Sequence, residues 1–225
     1  MKRLIGLAFA ALFVFTANAQ EGHLKYTIDI QGDDPQVEMM KSFFTDATME
    51  IFYSEDFSRV DTKMGSMMNT TMITDLKKEE TLTLMSGMMG KIATRSTLDE
   101  LSAEEGEEEA EEEVDLDIEL IDESKEIAGL NCKKAILTTE EGQELEMWYT
   151  EDIQISDKRG LNMANQKGVP GFPVEFSMQQ GPMIMAFSLT EYNKKIKGKD
   201  LFDMTIPEGY VEKSAEELKQ MGQGR

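Results

Sequence analysis

Between Phe57 and Arg95 the chain sets seven methionines (Met64, Met67, Met68, Met72, Met85, Met88 and Met89) among threonines, leucines and isoleucine. It breaks this run with one charged stretch, DLKKEE, from Asp75 to Glu80. Extended-backbone formers on either side of a short polar break predict antiparallel strands joined by a tight turn. Methionine is unbranched and polarisable, so a sheet face paved with it can fill an irregular core or accommodate a greasy ligand of variable shape. Any fold for this chain has to place that face.

Period-two patterning recurs along the rest of the chain. His23 to Gln31 alternates with Leu24, Tyr26, Ile28 and Ile30 on one side, which predicts a half-buried first strand. Asp34-Pro35 reads as an N-cap followed by proline at the first helical position, and Val37, Met40, Phe43, Phe44 and Ala47 follow at helical spacing. Thr48 to Ser54 returns to strand. Ile127 to Thr139 and Gln143 to Thr150 predict a hairpin through Glu140-Glu141-Gly142. Gly168 to Pro173 (GVPGFP) predicts a stiff irregular connection holding Phe172. Val174 to Met178, Met183 to Tyr192 and Leu201 to Ile206 predict three more strands, and Ser214 to Glu217 a capping box opening a short terminal helix. Several strands are apolar on both faces (Met72 beside Ile73, Leu84 beside Met85, Met147 beside Trp148), so both faces of the sheet are expected to be covered.

The first nineteen residues have a basic start at Lys2 and Arg3, an apolar run from Leu4 to Phe15, and small residues at Ala17 and Ala19. This is the pattern of a secretory signal peptide cut before Gln20, with an apolar core too short for an ordinary membrane span. The expected product is a periplasmic or secreted protein without a transmembrane segment, forming a single β-rich domain over 20–225. Cys132 is the single cysteine, so no internal disulfide can form, and its setting in LNCKKAIL fits a small buried residue.

A formal net charge of −21 excludes nucleic acid as a partner by repulsion. Fifteen of the acids fall between Asp99 and Glu123 with no basic residue among them, most densely at Glu104 to Glu113. Like charges at that density predict a disordered loop over 99–113, and Val114, Leu116, Ile118 and Leu120 then predict a strand with one apolar and one acidic face. Calcium could use such carboxylates, but no D-x-D-x-D-G loop gathers them, so a solvated face is the simpler reading.

Chemistry for catalysis is sparse. One histidine, His23, and one cysteine leave little from which to build a triad, and no G-x-S-x-G elbow, phosphate loop or histidine-rich zinc pattern is present. The chain is expected not to be an enzyme and to need no cofactor or metal. Thioethers do bind Cu(I), but consecutive strand residues such as Met88 and Met89 point to opposite faces, so packing is preferred over copper.

The segments SRVDTKM, TTMITDLKKEETLTLMSGMMGK, IAGLNCKKA, EMWYTEDI, GVPGFPVEF and FDMTIPEGYV, in that order, resemble a secreted domain-of-unknown-function family of Bacteroidetes-type bacteria. That family is similar in strand pattern to the LolA/LolB-like lipoprotein carriers and to the GLPGLI family. The resemblance spans most of the chain after the leader. It implies an α+β, mainly β fold: a curved antiparallel sheet forming an open half-barrel, covered by a few short helices, with an apolar cavity between. The function expected is a carrier for a lipid, lipoprotein acyl chain or similar hydrophobic ligand, lined by Met64, Met72, Leu84, Met85, Met88, Trp148, Phe172 and Phe176. The alternatives are a protein-interaction module with a filled core and a protein partner at the acidic loop, or a Cu(I)-binding protein.

Overall fold

A computed structural model describes residues 21–32, 34–65, 67–88, 90–101, 117–139, 142–155, 161, 168–180, 183–198 and 200–218. The expected leader, the acidic run Glu104 to Glu113, and Val114 and Leu116 of the strand expected after it lie outside them. One twelve-stranded sheet organises the molecule. In chain order its strands are β1 (Gly22–Gln31), β2 (Thr48–Tyr53), β3 (Phe57–Met64), β4 (Met68–Asp75), β5 (Glu80–Gly87), β6 (Gly90–Thr97), β7 (Asp117–Ile127), β8 (Leu130–Thr138), β9 (Glu144–Thr150), β10 (Phe172–Gln180), β11 (Met183–Asn193) and β12 (Val211–Glu212). A short helix, α1 (Pro35–Lys41), follows β1.

The spatial order is β12-β6-β5-β4-β3-β2-β1-β11-β10-β9-β8-β7. Two antiparallel meanders, β2 to β6 and β7 to β11, are joined by β1, which pairs with β2 on one side and β11 on the other. β12 adds to the outer edge of β6 in parallel. The ends of the sheet do not pair with each other, so it is open. It is also strongly curved: Tyr26 in β1 and Cys132 in β8 are separated by three strands, about 19 Å in a flat sheet, yet belong to one packed cluster. The Tyr26 hydroxyl donates across β11 to the Pro173 carbonyl at 2.8 Å.

The registers define two faces. Leu24, Tyr26, Ile28 and Ile30 of β1, all buried, point to what we call the core face. They are joined by Met49, Ile51 and Tyr53 of β2, by Val174, Phe176, Phe187 and Leu189, and by Val37 and Ala47 from α1 and the chain after it. The back face of β3 to β6 carries a second small cluster, Leu82, Leu84 and Ala93, covered by Met204, Ile206 and Tyr210. Apolar side chains therefore pack on both faces of the sheet, as the two-sided apolar strands imply.

The fold class matches expectation: strands dominate an open, curved, mainly antiparallel sheet, with few and short helices. Four local expectations are corrected. The run Ile127 to Thr139 is not one strand, because Ala128 and Gly129 both adopt positive φ (49° and 79°) and turn β7 into β8, a two-residue hairpin of the primed type. Phe172 does not sit in an irregular connection; it opens β10 opposite Thr150, and Gly171 precedes it because a Cβ there would strike the Thr150 carbonyl and the Tyr149 ring. Residues 201–206 form no strand but a strap across the back face. In β7, Leu120 is 51% exposed while Ile118 and Ile127 pack against the core, since β7 is an edge strand with a bulge between Ile121 and Ser124. The capping box is present: the Ser214 N–H donates to Glu217 Oε2 at 2.8 Å and the Glu217 N–H to Ser214 Oγ at 3.2 Å.

Candidate functional site

The methionine-rich run forms β3 to β6 and its turns. Asp75 closes β4 by accepting N–H bonds from Lys77 and Lys78 at 3.1 and 3.0 Å, so the DLKKEE break is a turn, with Glu79 in the left-handed region (φ 57°) before β5. Residues paired across antiparallel strands share a face and alternate along each strand. The pairs Met64↔Met68, Val60↔Met72, Thr70↔Met85 and Met72↔Thr83 connect, through Ile51↔Val60 and Leu24↔Ile51, to the core face of β1. Met64, Met72 and Met85 therefore stand together on the core face of β3, β4 and β5, interleaved with threonines.

Burial changes along this face. At one end Thr74 and Thr81 are buried and their hydroxyls lie 3.0 Å apart, closing it with a polar pair. At the other end, where β1 runs into α1, Met68 is 43% exposed and Met88, in the β5–β6 turn, 81% exposed. Met39, Phe43 and Met178 are also exposed at this end. Met64 packs against the main cluster, whereas Met72 and Met85 are half-buried and packed against neither cluster. Gly65, in the left-handed region, lies so close to the Phe43 carbonyl that a side chain would not fit, which sets the chain after α1 against the β3–β4 turn.

The eight residues expected to line one cavity are thus divided. Met64, Met72 and Met85 share the core face. Phe172 and Phe176 are buried in the main cluster, with Phe176 stacked on Phe187 at 4.7 Å. Leu84 faces the opposite way, into the cluster under the strap. Met88 lies in a turn. Trp148 is also buried in the main cluster, although its register pairs it with Lys134 and Glu175 on the back face; Lys125 Nζ lies 4.2 Å above its ring, and its indole N–H donates to Glu146 Oε1 at 2.6 Å. Lys134 and that indole hold the Glu146 carboxyl below the usual range. Alternation in a strand apolar on both sides does not reveal which face is which, and that is why Leu84 and Trp148 are displaced. Val60, Thr62, Thr70 and Thr83, which complete the face, were legible only as strand residues.

The back face holds a shallow cleft of about 390 Å³ between Phe57 and the strap, lined by Ile196, Gly198, Asp200, Leu201, Phe202 and Asp203. His23 is also on this side, stacked on Phe52 with centroids 4.3 Å apart and with Nε2 3.0 Å from Glu50 Oε2. Burial pushes the Cys132 thiol up to about 11, so it is protonated and unreactive at neutral pH. Among the described residues, no group of three or more His, Cys, Asp or Glu side chains is placed to hold a metal ion. No helix among them is long and apolar enough to cross a membrane.

The family model described as a domain of unknown function, DUF4412, matches residues 35–210. The chain belongs to the DUF4412 family. A domain-of-unknown-function family is what the motif order implies, and this DUF4412 chain has no match among curated proteins. Three solved structures are similar in outline. PNGF-II, in the C2 space group, is 16% identical with a TM-score of 0.44, the match covering 90% of this chain and 32% of that one. An uncharacterised conserved protein from Thermus thermophilus is 8% identical with a TM-score of 0.48, covering 86% and 91%. The LolA superfamily protein NE2245 from Nitrosomonas europaea is 9% identical with a TM-score of 0.21, covering 81% and 90%. This DUF4412 chain spans about a third of PNGF-II, and likenesses at this level carry no activity across.

Proposed function

We propose that this protein is an exported, non-catalytic binding protein that holds a lipid or lipoprotein acyl chain against the core face of β3 to β5, entering from the end beside α1. One observation carries the reading: Met72 and Met85 lie on the core side, half-buried, yet pack against neither hydrophobic cluster. The burial gradient supports an entrance at the α1 end, because the opposite end is closed by Thr74 and Thr81 while Met68 is exposed. Each methylene taken from water onto such a face contributes about 0.8 kcal/mol, so a modest length of acyl chain suffices for micromolar binding. The threonines offer hydroxyls to a polar headgroup.

The test is displacement of a fluorescent fatty-acid probe, with the intact mass of the purified protein under non-denaturing conditions as a second readout. Trp148 is a poor reporter, being on the back face. Binding in the micromolar range, weakened at least tenfold by Met72→Lys, is the expected result. A wild-type protein that takes up no probe from a panel of chain lengths and carries no lipid-mass adduct overturns the reading.

A further inference from the structure

The registers bring thioethers together that the sequence alone leaves apart. Met64 is directly opposite Met68 across β3 and β4. Met68 is opposite Gly87 in β5, which places Met85, two residues earlier, on the diagonal to Met68; Met72 is opposite Thr83, so Met85 is diagonal to Met72 as well. Directly opposed residues have Cβ atoms about 4.5–5.5 Å apart and diagonal ones about 7–8 Å. Methionine reaches across such gaps with three freely rotating bonds. Gly87 puts no side chain beside Met68, and it must be glycine because the Met67 carbonyl occupies the Cβ position. A second contact ties the turns together, the Met88 N–H donating to the Met67 carbonyl at 3.4 Å.

From this juxtaposition we propose that Met64, Met68 and Met85, with Met72 behind them, form a binding site for a soft monovalent cation, Cu(I) or Ag(I). Neutral sulfur donors select soft d10 ions over the hard divalent ions that carboxylates take. The registers place no lysine or arginine on the core face of β3, β4 or β5 to oppose a cation, and the net charge of −21 favours its approach. Adjacent methionines in one strand diverge, but these donors come from three strands and one face. The inference does not depend on the acyl-chain reading: an apolar ligand needs the bulk of these side chains, a soft cation needs their sulfur.

Leucine separates the two, since it keeps volume and apolarity and removes the thioether. Ag(I), which is redox-inert, is titrated into the purified protein by calorimetry, and Cu(I) affinity is read anaerobically against a chromophoric chelator. The wild type is expected to bind one equivalent. Met64→Leu/Met68→Leu/Met85→Leu should lower affinity at least a hundredfold; Met39→Leu/Met178→Leu, at the same end of the sheet, should change nothing. Should the triple variant not fold, Met68→Leu alone, at a position already 43% exposed, is expected to cost about tenfold. A wild type that takes up no Ag(I), or a leucine variant of wild-type affinity, overturns the proposal whatever the fatty-acid probe does.

Discussion

Asp75 is a carboxylate that its surroundings hold ionised. Burial pushes its pKa up, but the N–H donors of Lys78 and Lys77 and the Lys78 ammonium, 3.1 Å from Oδ2, more than offset this and leave it below its ordinary value near 3.8. A folded-state pKa lowered in this way contributes stability that is complete above the unfolded value and is lost as pH falls through the lower folded one. Asp75→Asn is expected to cost on the order of 1 kcal/mol at neutral pH and to flatten the stability profile below about pH 4; urea midpoints at pH 7 and pH 3 check both. An Asn variant with the wild-type acid dependence would place that dependence elsewhere. Single residues of this kind were legible when one face was solvated: Leu24, Tyr26, Ile28 and Ile30 were readable as core, and all four are buried. Where a strand is apolar on both sides, as at Leu84 and Trp148, the side chains record burial but not which face supplies it.

The same distinction governs the elements. The alternation over 201–206 reads as a strand, and the structure keeps its apolar positions covered, with Met204 and Ile206 against Leu82 and Leu84. What alternation does not encode is the partner of the backbone. Here it is two arginine side chains: Arg59 Nη1 donates to the Leu201 carbonyl at 2.8 Å and Arg95 Nη2 to the Met204 carbonyl at 2.6 Å, while Phe202 stacks on Phe57 at 5.3 Å. Replacing both arginines (Arg59→Ala/Arg95→Ala) should speed amide exchange across 201–206 at least tenfold and leave β1 protected, as read by hydrogen-exchange mass spectrometry. Uniform acceleration along the whole chain would show that the arginines support the sheet rather than the strap. The β7–β8 turn escaped detection for a related reason. Ala128 is an uncommon residue at positive φ, so the chain carries half of a glycine signal there.

For the molecule as a whole, the strand-rich class was legible, whereas the topology was not, because nothing in a first strand's pattern says that its neighbour lies in the eleventh. One edge of the sheet is occupied by β12; at the other, among the described residues, no strand pairs with the outer side of β7. That edge is studded with Glu119, Asp122, Glu123 and Glu126, all exposed, and ionised side chains of this kind keep edges from joining one another. Neutral substitutes at these positions (Glu119→Gln/Asp122→Asn/Glu123→Gln/Glu126→Gln) are expected to make the protein self-associate reversibly by light scattering at neutral pH, whereas Glu119→Lys/Glu123→Lys should not. Association unchanged by those substitutions would exclude β7 as the contact. The central position of β1 has a consequence in time. A ribosome delivers β1 first, yet Thr27 finds its partner Ser188 only 161 residues later, about ten to thirty seconds at ordinary synthesis rates. Until then the nascent half-sheet offers one flank of β1 to whatever passes, so the strand at the centre of the finished sheet is, during its manufacture, the one most in need of an escort.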